Sequence, residues 1–225
     1  SATEASCDPP PGRRPVTARF ALPTRPRARP IAWSRSDPPR LDDYDNPGAF
    51  MKISFVVPTK NSERTLESCL ASLRAQRGVD VEVIVVDNHS TDRTLAIAER
   101  HAHIVETYGP ERSAQRNRGT AVSSGDVVVF VDSDMTFEPT VGEDIVATLT
   151  ARPEVGAVII PERSFGEGFL AQCRVLEKSL YVGDDAVEAP RAFRRGLIVA
   201  LGGWDESLTA AEDWDLADRT VLPAP

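Results

Sequence analysis

The chain has 225 residues, enough for one sizeable domain with its own core, and a formal net charge of −8, which excludes a broad electrostatic footprint for nucleic acid. Its composition, 41% hydrophobic and 27% charged, is that of a soluble globular protein, and no apolar run reaches the length of a membrane span. Cys7, Cys69 and Cys173 are far apart with no CxxC spacing, and the N-terminus carries no apolar signal segment; both features fit reduced thiols in a cytoplasmic protein.

Residues 1–50 stand apart. They hold ten of the 18 prolines, interleaved with arginine as in Arg25-Pro26-Arg27-Ala28-Arg29-Pro30, so no helical or strand period survives there. That composition predicts a disordered, partly polyproline-II extension. A docking arm for a partner or an anionic surface is one alternative, and an extension that is not native coding sequence is another, because Met51 stands where the first regular element begins.

From Met51 the pattern is regular. Ile53 to Val57 reads as a strand ended by Pro58, and Ser62 or Asn61 caps a helix with apolar positions Leu66, Cys69, Leu70 and Leu73, closed by Gly78. Val81 to Val86 is a second buried strand, followed by a helix from about Asp92 to His101 and a short strand at Ile104-Val105-Glu106. Arg112 to Ser123 reads as helix, stopped by Gly125, and Val127 to Val131 as a strand buried on both faces. Pro139 suits the first turn of a helix running to about Ala151, and Val155 to Ile160 is a further strand. Such alternation, without internal repeats, means an α/β fold: a mainly parallel sheet with helices on both faces.

Three strand ends carry polar residues: Pro58-Thr59-Lys60-Asn61, then Asp87-Asn88-His89-Ser90-Thr91-Asp92, then Asp132-Ser133-Asp134. Parallel strands gather these loops on one edge of the sheet, where open α/β folds hold ligands. The edge offers hydrogen-bonding groups for a base and ribose, and two carboxylates one residue apart for a hard divalent cation. No Walker A or GxGxxG sequence is present, so a metal and Arg or Lys side chains, such as Arg112, Arg116 and Arg118, must offset phosphate charge.

In order and approximate spacing, Val57-Pro58-Thr59-Lys60-Asn61, Val86-Asp87-Asn88-His89-Ser90-Thr91-Asp92, Arg116-Asn117-Arg118-Gly119 and Asp132-Ser133-Asp134 resemble glycosyltransferase family 2. Gly202-Gly203-Trp204-Asp205-Glu206, followed by Glu212-Asp213-Trp214-Asp215-Leu216, resembles that family's glycine-glycine turn and Glu-Asp motif, so the likeness covers about residues 51–219. The resemblance implies a GT-A (Rossmann-like) fold, a nucleoside-diphosphate sugar donor, a hydroxyl acceptor and inversion at the anomeric centre. It implies that Pro58, Thr59 and Asn61 line the donor pocket, that Asp87 and Asn88 meet the base, and that Arg116 approaches the diphosphate or supports the base pocket. Asp132 would contact the ribose or a metal-bound water, Asp134 would bind Mg2+ or Mn2+, and Asp213 would be the general base. Asn88 stands where many relatives have a second Asp; an amide both donates and accepts, so base contact survives.

Blander roles are open to each piece. Asp87, Asn88 and Ser90 could cap the following helix, the arginines could be a solvated face, and Glu212 and Asp213 could complement a helix dipole. Gly202-Gly203 reads as a backbone turn, and His89, His101 and His103 as surface or loop residues. Val128 to Thr136 also fits the hhhhDxDxT pattern of haloacid dehalogenase-type phosphatases, with Asp132 as nucleophile and Lys178 and Gly183-Asp184-Asp185 as later motifs, although there the pattern opens its domain. Against the family pattern the domain reads as shortened after Arg219, which leaves an inactive or donor-binding-only protein as a further alternative. Phe165-Gly166-Glu167-Gly168-Phe169 reads as a mobile loop on the acceptor side, and a peripheral membrane contact is compatible with the sequence.

Overall fold

The computed structural model describes residues 29–32, 51–165, 169–179 and 189–221. Its elements in chain order are β1 (Arg29–Ala32), β2 (Lys52–Thr59), α1 (Leu66–Arg74), β3 (Asp80–Asp87), α2 (Thr94–His101), β4 (Ile104–Thr107), α3 (Arg112–Val122) and β5 (Val127–Phe130). Then come α4 (Val141–Ala151), β6 (Val155–Ile159), α5 (Phe169–Ser179), β7 (Ala192–Arg194), α6 (Arg195–Ala200) and α7 (Glu212–Val221). The strands form one sheet in the order β1-β6-β7-β5-β2-β3-β4. Strands β2, β3, β4 and β5 pair in parallel, β6 runs the same way, and β7 and β1 run against them.

Side chains alternate across the strands and divide the core in two. Ile53, Phe55, Val57, Val83, Val85, Val127 and Val129 meet Leu66, Cys69, Leu70 and Leu73 of α1, Ile97 of α2, and Ile145 and Leu149 of α4. Their neighbours Val56, Ile84, Val86, Val128 and Phe130 meet Phe193, Ile198, Trp204 and Leu216 on the other face. Each fully buried side chain of this size contributes on the order of 1.5–3 kcal/mol. Helix α3 lies close on that second face because Gly119 has no side chain: a Cβ there would come within 2.3 Å of Val56 Cγ1.

Three expectations change and one element is new. Pro58 does not end the first strand but lies within β2, opposite Val86 of β3. Val56 turns its carbonyl to Val131 N–H, so alternation aims Pro58 toward the same neighbour, beyond the last residue paired with β5, and its missing N–H breaks no ladder bond. Neither Asn61 nor Ser62 caps α1 by its side chain; the N-cap is Thr65, and Ser62 instead accepts the Thr65 and Leu66 N–H groups with its carbonyl, at 3.2 and 3.0 Å. Within the proline-rich extension Arg29–Ala32 forms an edge strand antiparallel to β6, a place that tolerates Pro30. Finally, β7 inserts antiparallel between β5 and β6; three residues are too few to show a period.

Candidate functional site

The carboxyl ends of β2, β3 and β5 bring their loops to one edge. The Asp87 carboxylate is buried and turned inward: it accepts from Thr59 Oγ1 at 2.9 Å, Ser90 N at 2.7 Å and Ser90 Oγ at 2.5 Å. Asn61, with φ of 48°, accepts from Thr91 N at 2.9 Å through its side chain, and its own N–H donates to Ser90 Oγ at 2.7 Å. Thr59, Asn61 and Asp87 therefore lock the first two loops together, and Asn88 is the half-buried group beside them. The Asn88 amide nitrogen donates to the Pro110 carbonyl. Gln115, on α3, spans both strand ends, donating to the Thr59 carbonyl at 3.0 Å and the Val86 carbonyl at 2.6 Å.

Arg116 is the centre of the acidic half. It is 1% exposed, and its Nη1 faces Asp213 Oδ1 at 3.1 Å and Glu212 Oε1 at 3.7 Å, while Nη2 faces Asp132 Oδ1 at 3.5 Å. Its guanidinium lies 4.2 Å over the Trp204 ring, a desolvated cation–π contact of about 2 kcal/mol. Asp132 meets a second arginine through its other oxygen, with Arg191 Nη2 at 3.2 Å, and Arg191 Nε donates to Glu162. Burial disfavours the Arg191 charge, but the Glu162, Asp132 and Asp213 carboxylates outweigh it and raise its pKa above the usual guanidinium value. Arg116 Nε and Trp204 Nε1 are buried without partners among the described residues, a rare state for buried donors.

Asp134 is exposed and makes no hydrogen bond or ion pair among the described residues. Beneath it, Cys69 Sγ lies 3.8 Å from the Asp132 carbonyl, and burial, then the Asp134 and Asp132 charges, push its thiol up to about 12. Cys69 is thus a neutral core group, neither ligand nor nucleophile.

Helix α7 brings Asp213 to this edge because the preceding turn is held firmly. Gly202 and Gly203 take φ of 79° and 75°, and a Cβ on Gly203 would lie 2.4 Å from Asn117 Oδ1. The Asn117 amide pairs with both backbone groups of Trp204, accepting from its N–H at 2.8 Å and donating to its carbonyl at 2.9 Å. Arg219 ties α7 to the same turn through the Leu201 and Gly203 carbonyls, each at 2.8 Å.

Of the candidates read from sequence, Arg116, Asp132 and Asp213 converge, and Asp134 lies beside them. Pro58, Thr59, Asn61 and Asp87 form the wall and brace of the neighbouring loops. Sequence reasoning missed Arg191, Glu162 and Gln115, and gave no role to Asn117 within its motif; the partners of all four lie far off in the chain. The motifs at Lys178 and Gly183-Asp184-Asp185, and the centre of the Phe165 to Phe169 loop, lie outside the described side chains. The phosphatase reading gains no support: both oxygens of Asp132 face arginines, and β5 lies inside the sheet after four strands already in it.

An open α/β sheet with helices on both faces and its polar loops at one carboxyl edge is the architecture of the GT-A fold of nucleotide-dependent transferases. Residues 54–189 match the model of the family described as Glycosyl transferase family 2, and the chain belongs to that family. It is 31% identical over 100 residues to the uncharacterized glycosyltransferase YibD of Escherichia coli, covering 42% of this chain and 29% of that protein. The crystal structure of Staphylococcus aureus TarS 1-349 superposes with a TM-score of 0.59 at 26% identity, covering 76% of this chain and 55% of that one. The same TarS fragment in complex with UDP-GlcNAc gives 0.57 at 27% identity, covering 76% and 53%. The chain thus spans between 29% and 55% of the length of these relatives. The family match ends before Glu212 and Asp213, whose place at the site rests on the geometry above.

Proposed function

We propose that the protein transfers a sugar from a nucleoside-diphosphate sugar to an acceptor hydroxyl, with inversion, using a divalent cation. The observation that carries this is the convergence of Asp132 and Asp213 on the two Nη atoms of Arg116 while Asp134 stays exposed and unpaired one residue past Ser133. The TarS fragment solved with UDP-GlcNAc supports the donor class.

The residues fit a cation carried in with its substrate. Among the described residues no group of three or more His, Cys, Asp or Glu side chains is arranged to hold a metal, so Asp134, supported by Asp132, offers at most two ligands. Mg2+ and Mn2+ sites of this kind are completed by phosphate oxygens and water. Asp132, Asp134, Glu162, Glu212 and Asp213 also outnumber Arg112, Arg116 and Arg191, so a bare diphosphate would enter a field of its own sign. When bound, Mg2+ or Mn2+ neutralises charge on the leaving nucleoside diphosphate.

The chain's own residues do the rest. Arg116, with its Nη atoms on Asp132 and Asp213, fixes the donor side and the acceptor side to one rigid plane. Asp213 is anchored through Oδ1 and its side chain is 42% exposed, leaving Oδ2 to take the acceptor proton. Direct attack by that hydroxyl on the anomeric carbon inverts the centre and forms no covalent enzyme intermediate. Asn88, beside the locked Thr59–Asp87 brace, is the residue assigned to contact the base. The composition suits a cytoplasmic setting.

The test is a thermal-shift panel of nucleoside diphosphates and nucleotide sugars with and without Mn2+, followed by turnover of the stabilising donor. Stabilisation by one nucleotide only with the cation, with donor consumed when acceptors are added, is expected. Metal-independent binding would refute the cation's role. Binding without turnover across a broad acceptor panel would favour a donor-binding protein.

A further inference from the structure

Arg191 enters the site from a fixed point. At the head of β7 its N–H donates to the Val158 carbonyl at 3.2 Å and its carbonyl accepts from Phe130 N–H at 2.9 Å, so its backbone is stitched to β6 and β5 alike. From there the side chain reaches Asp132 Oδ2 at 3.2 Å and also pairs with Glu162. With Arg116 on Oδ1, both oxygens of Asp132 face guanidinium groups.

The two arginines are not equivalent. Arg116 is 2% exposed at its side chain and is held by Asp213, Glu212 and the Trp204 ring as well. Arg191 is 18% exposed and has Glu162 as a second carboxylate. Releasing Asp132 would leave Arg116 fixed by those partners and Arg191, the more exposed of the two, paired with Glu162 alone.

We propose that Arg191 is an internal counter-cation for Asp132, which an arriving divalent cation displaces, with Arg191 then resting on Glu162. This rests on the cation assigned under the proposed function and adds how the chain regulates its entry. While Arg191 covers Asp132, the metal alone meets a half-neutralised site; a nucleoside diphosphate brings its own oxygen ligands and tips the exchange. Arg191 acts through Asp132 and is a positioning residue.

The exchange gives two variants effects of opposite sign. Arg191→Gln uncovers Asp132 Oδ2 and should tighten binding of Mn2+ alone by about tenfold, the scale of one like charge removed near a partly exposed site. Glu162→Gln removes the resting place, confines Arg191 to Asp132 and should weaken Mn2+ binding by roughly threefold or more. Arg191→Lys keeps the positive charge and should stay near the wild-type affinity. The measurement is a Mn2+ titration of the full chain, read as free Mn2+ by electron paramagnetic resonance, with and without UDP, GDP or another nucleoside diphosphate that stabilises the wild type. A merely structural role for Arg191 would weaken binding in all three variants. An Arg191→Gln protein that binds Mn2+ no tighter than wild type, or that shifts in the same direction as Glu162→Gln, overturns the proposal while metal-dependent nucleotide binding stands. A wild-type protein that binds no Mn2+ even with nucleotide removes the proposed function, and this device with it.

Discussion

At the edge of the sheet opposite the site, Glu82 gives a prediction whose size can be worked out. Its side chain, on β3, is 9% exposed and fully occupied: Oε2 accepts from Ser54 Oγ at 2.6 Å and Ser124 N at 2.8 Å, and Oε1 from Ser124 Oγ at 2.6 Å and Lys52 Nζ at 3.0 Å. Burial alone would raise its pKa, but these donors overcome it and pull the carboxyl from 4.5 to about 2. A depressed folded-state value stabilises the fold above the unfolded pKa, and that stability is lost as pH falls from 4.5 toward 2. At 1.36 kcal/mol per unit, the carboxylate contributes roughly 3 kcal/mol at neutral pH, with more than half gone by about pH 3. Glu82→Gln places an amide nitrogen against donors that need an acceptor. It should cost about 3 kcal/mol at pH 7, which for a domain of this size lowers Tm by roughly 10 °C. Urea unfolding of both proteins from pH 7 to pH 3 measures the difference, which should shrink steadily with acid. A deficit that stays constant across that range, or no deficit at all, refutes the reasoning. The cluster joins the starts of β2 and β5, whose far ends carry Thr59 and Asp132, so the variant also tests whether the site depends on strand register.

Three further outcomes follow from named contacts. Asp134→Ala should abolish metal-dependent stabilisation by a nucleoside diphosphate in thermal shift while leaving the unliganded Tm within about 1 °C, since the side chain is exposed and unpaired and surface changes are worth about 0.5 kcal/mol or less. Asp213→Asn should keep donor affinity and lose transfer by on the order of 100-fold or more in a turnover assay; full activity would remove it as the base. Gly119→Ala should destabilise by about 1–3 kcal/mol in denaturant unfolding, because the new Cβ would meet Val56 Cγ1 at 2.3 Å, and adding Val56→Ala should recover part of the loss.

The fold was legible where the pattern is local. Buried runs such as Val127 to Phe130 and the three- and four-residue spacing of Leu66, Cys69, Leu70 and Leu73 announce elements whose period survives in the sequence, and the order of those elements dictates the shared carboxyl edge. What was not legible depends on distant partners. Arg191 finds Asp132 59 residues back and Glu162 29 back, and nothing near it separates it from an ordinary surface arginine. Asn117 reaches Trp204 87 residues on. The inward turn of the Asp87 carboxylate depends on Thr59 and Ser90 meeting it from two directions, which a motif alone does not reveal. Pro58 misled because its rule concerns a missing donor, and only the register shows that no neighbour asks for one at that place.

The stack of Arg116 on Trp204 also gives the molecule an optical reporter. The chain has three tryptophans, Trp33, Trp204 and Trp214. Trp204 is 4% exposed, sealed between a guanidinium and the edge of Phe130, with ring centroids 5.1 Å apart, whereas Trp214 is 38% exposed. Emission from Trp204 therefore falls at the blue side of the spectrum, and its quantum yield follows the cation above its ring. A ligand that alters the Asp132 or Asp213 contacts of that cation is expected to change Trp204 emission, so a nucleotide titration read by intrinsic fluorescence would report occupancy of the acidic edge without a label.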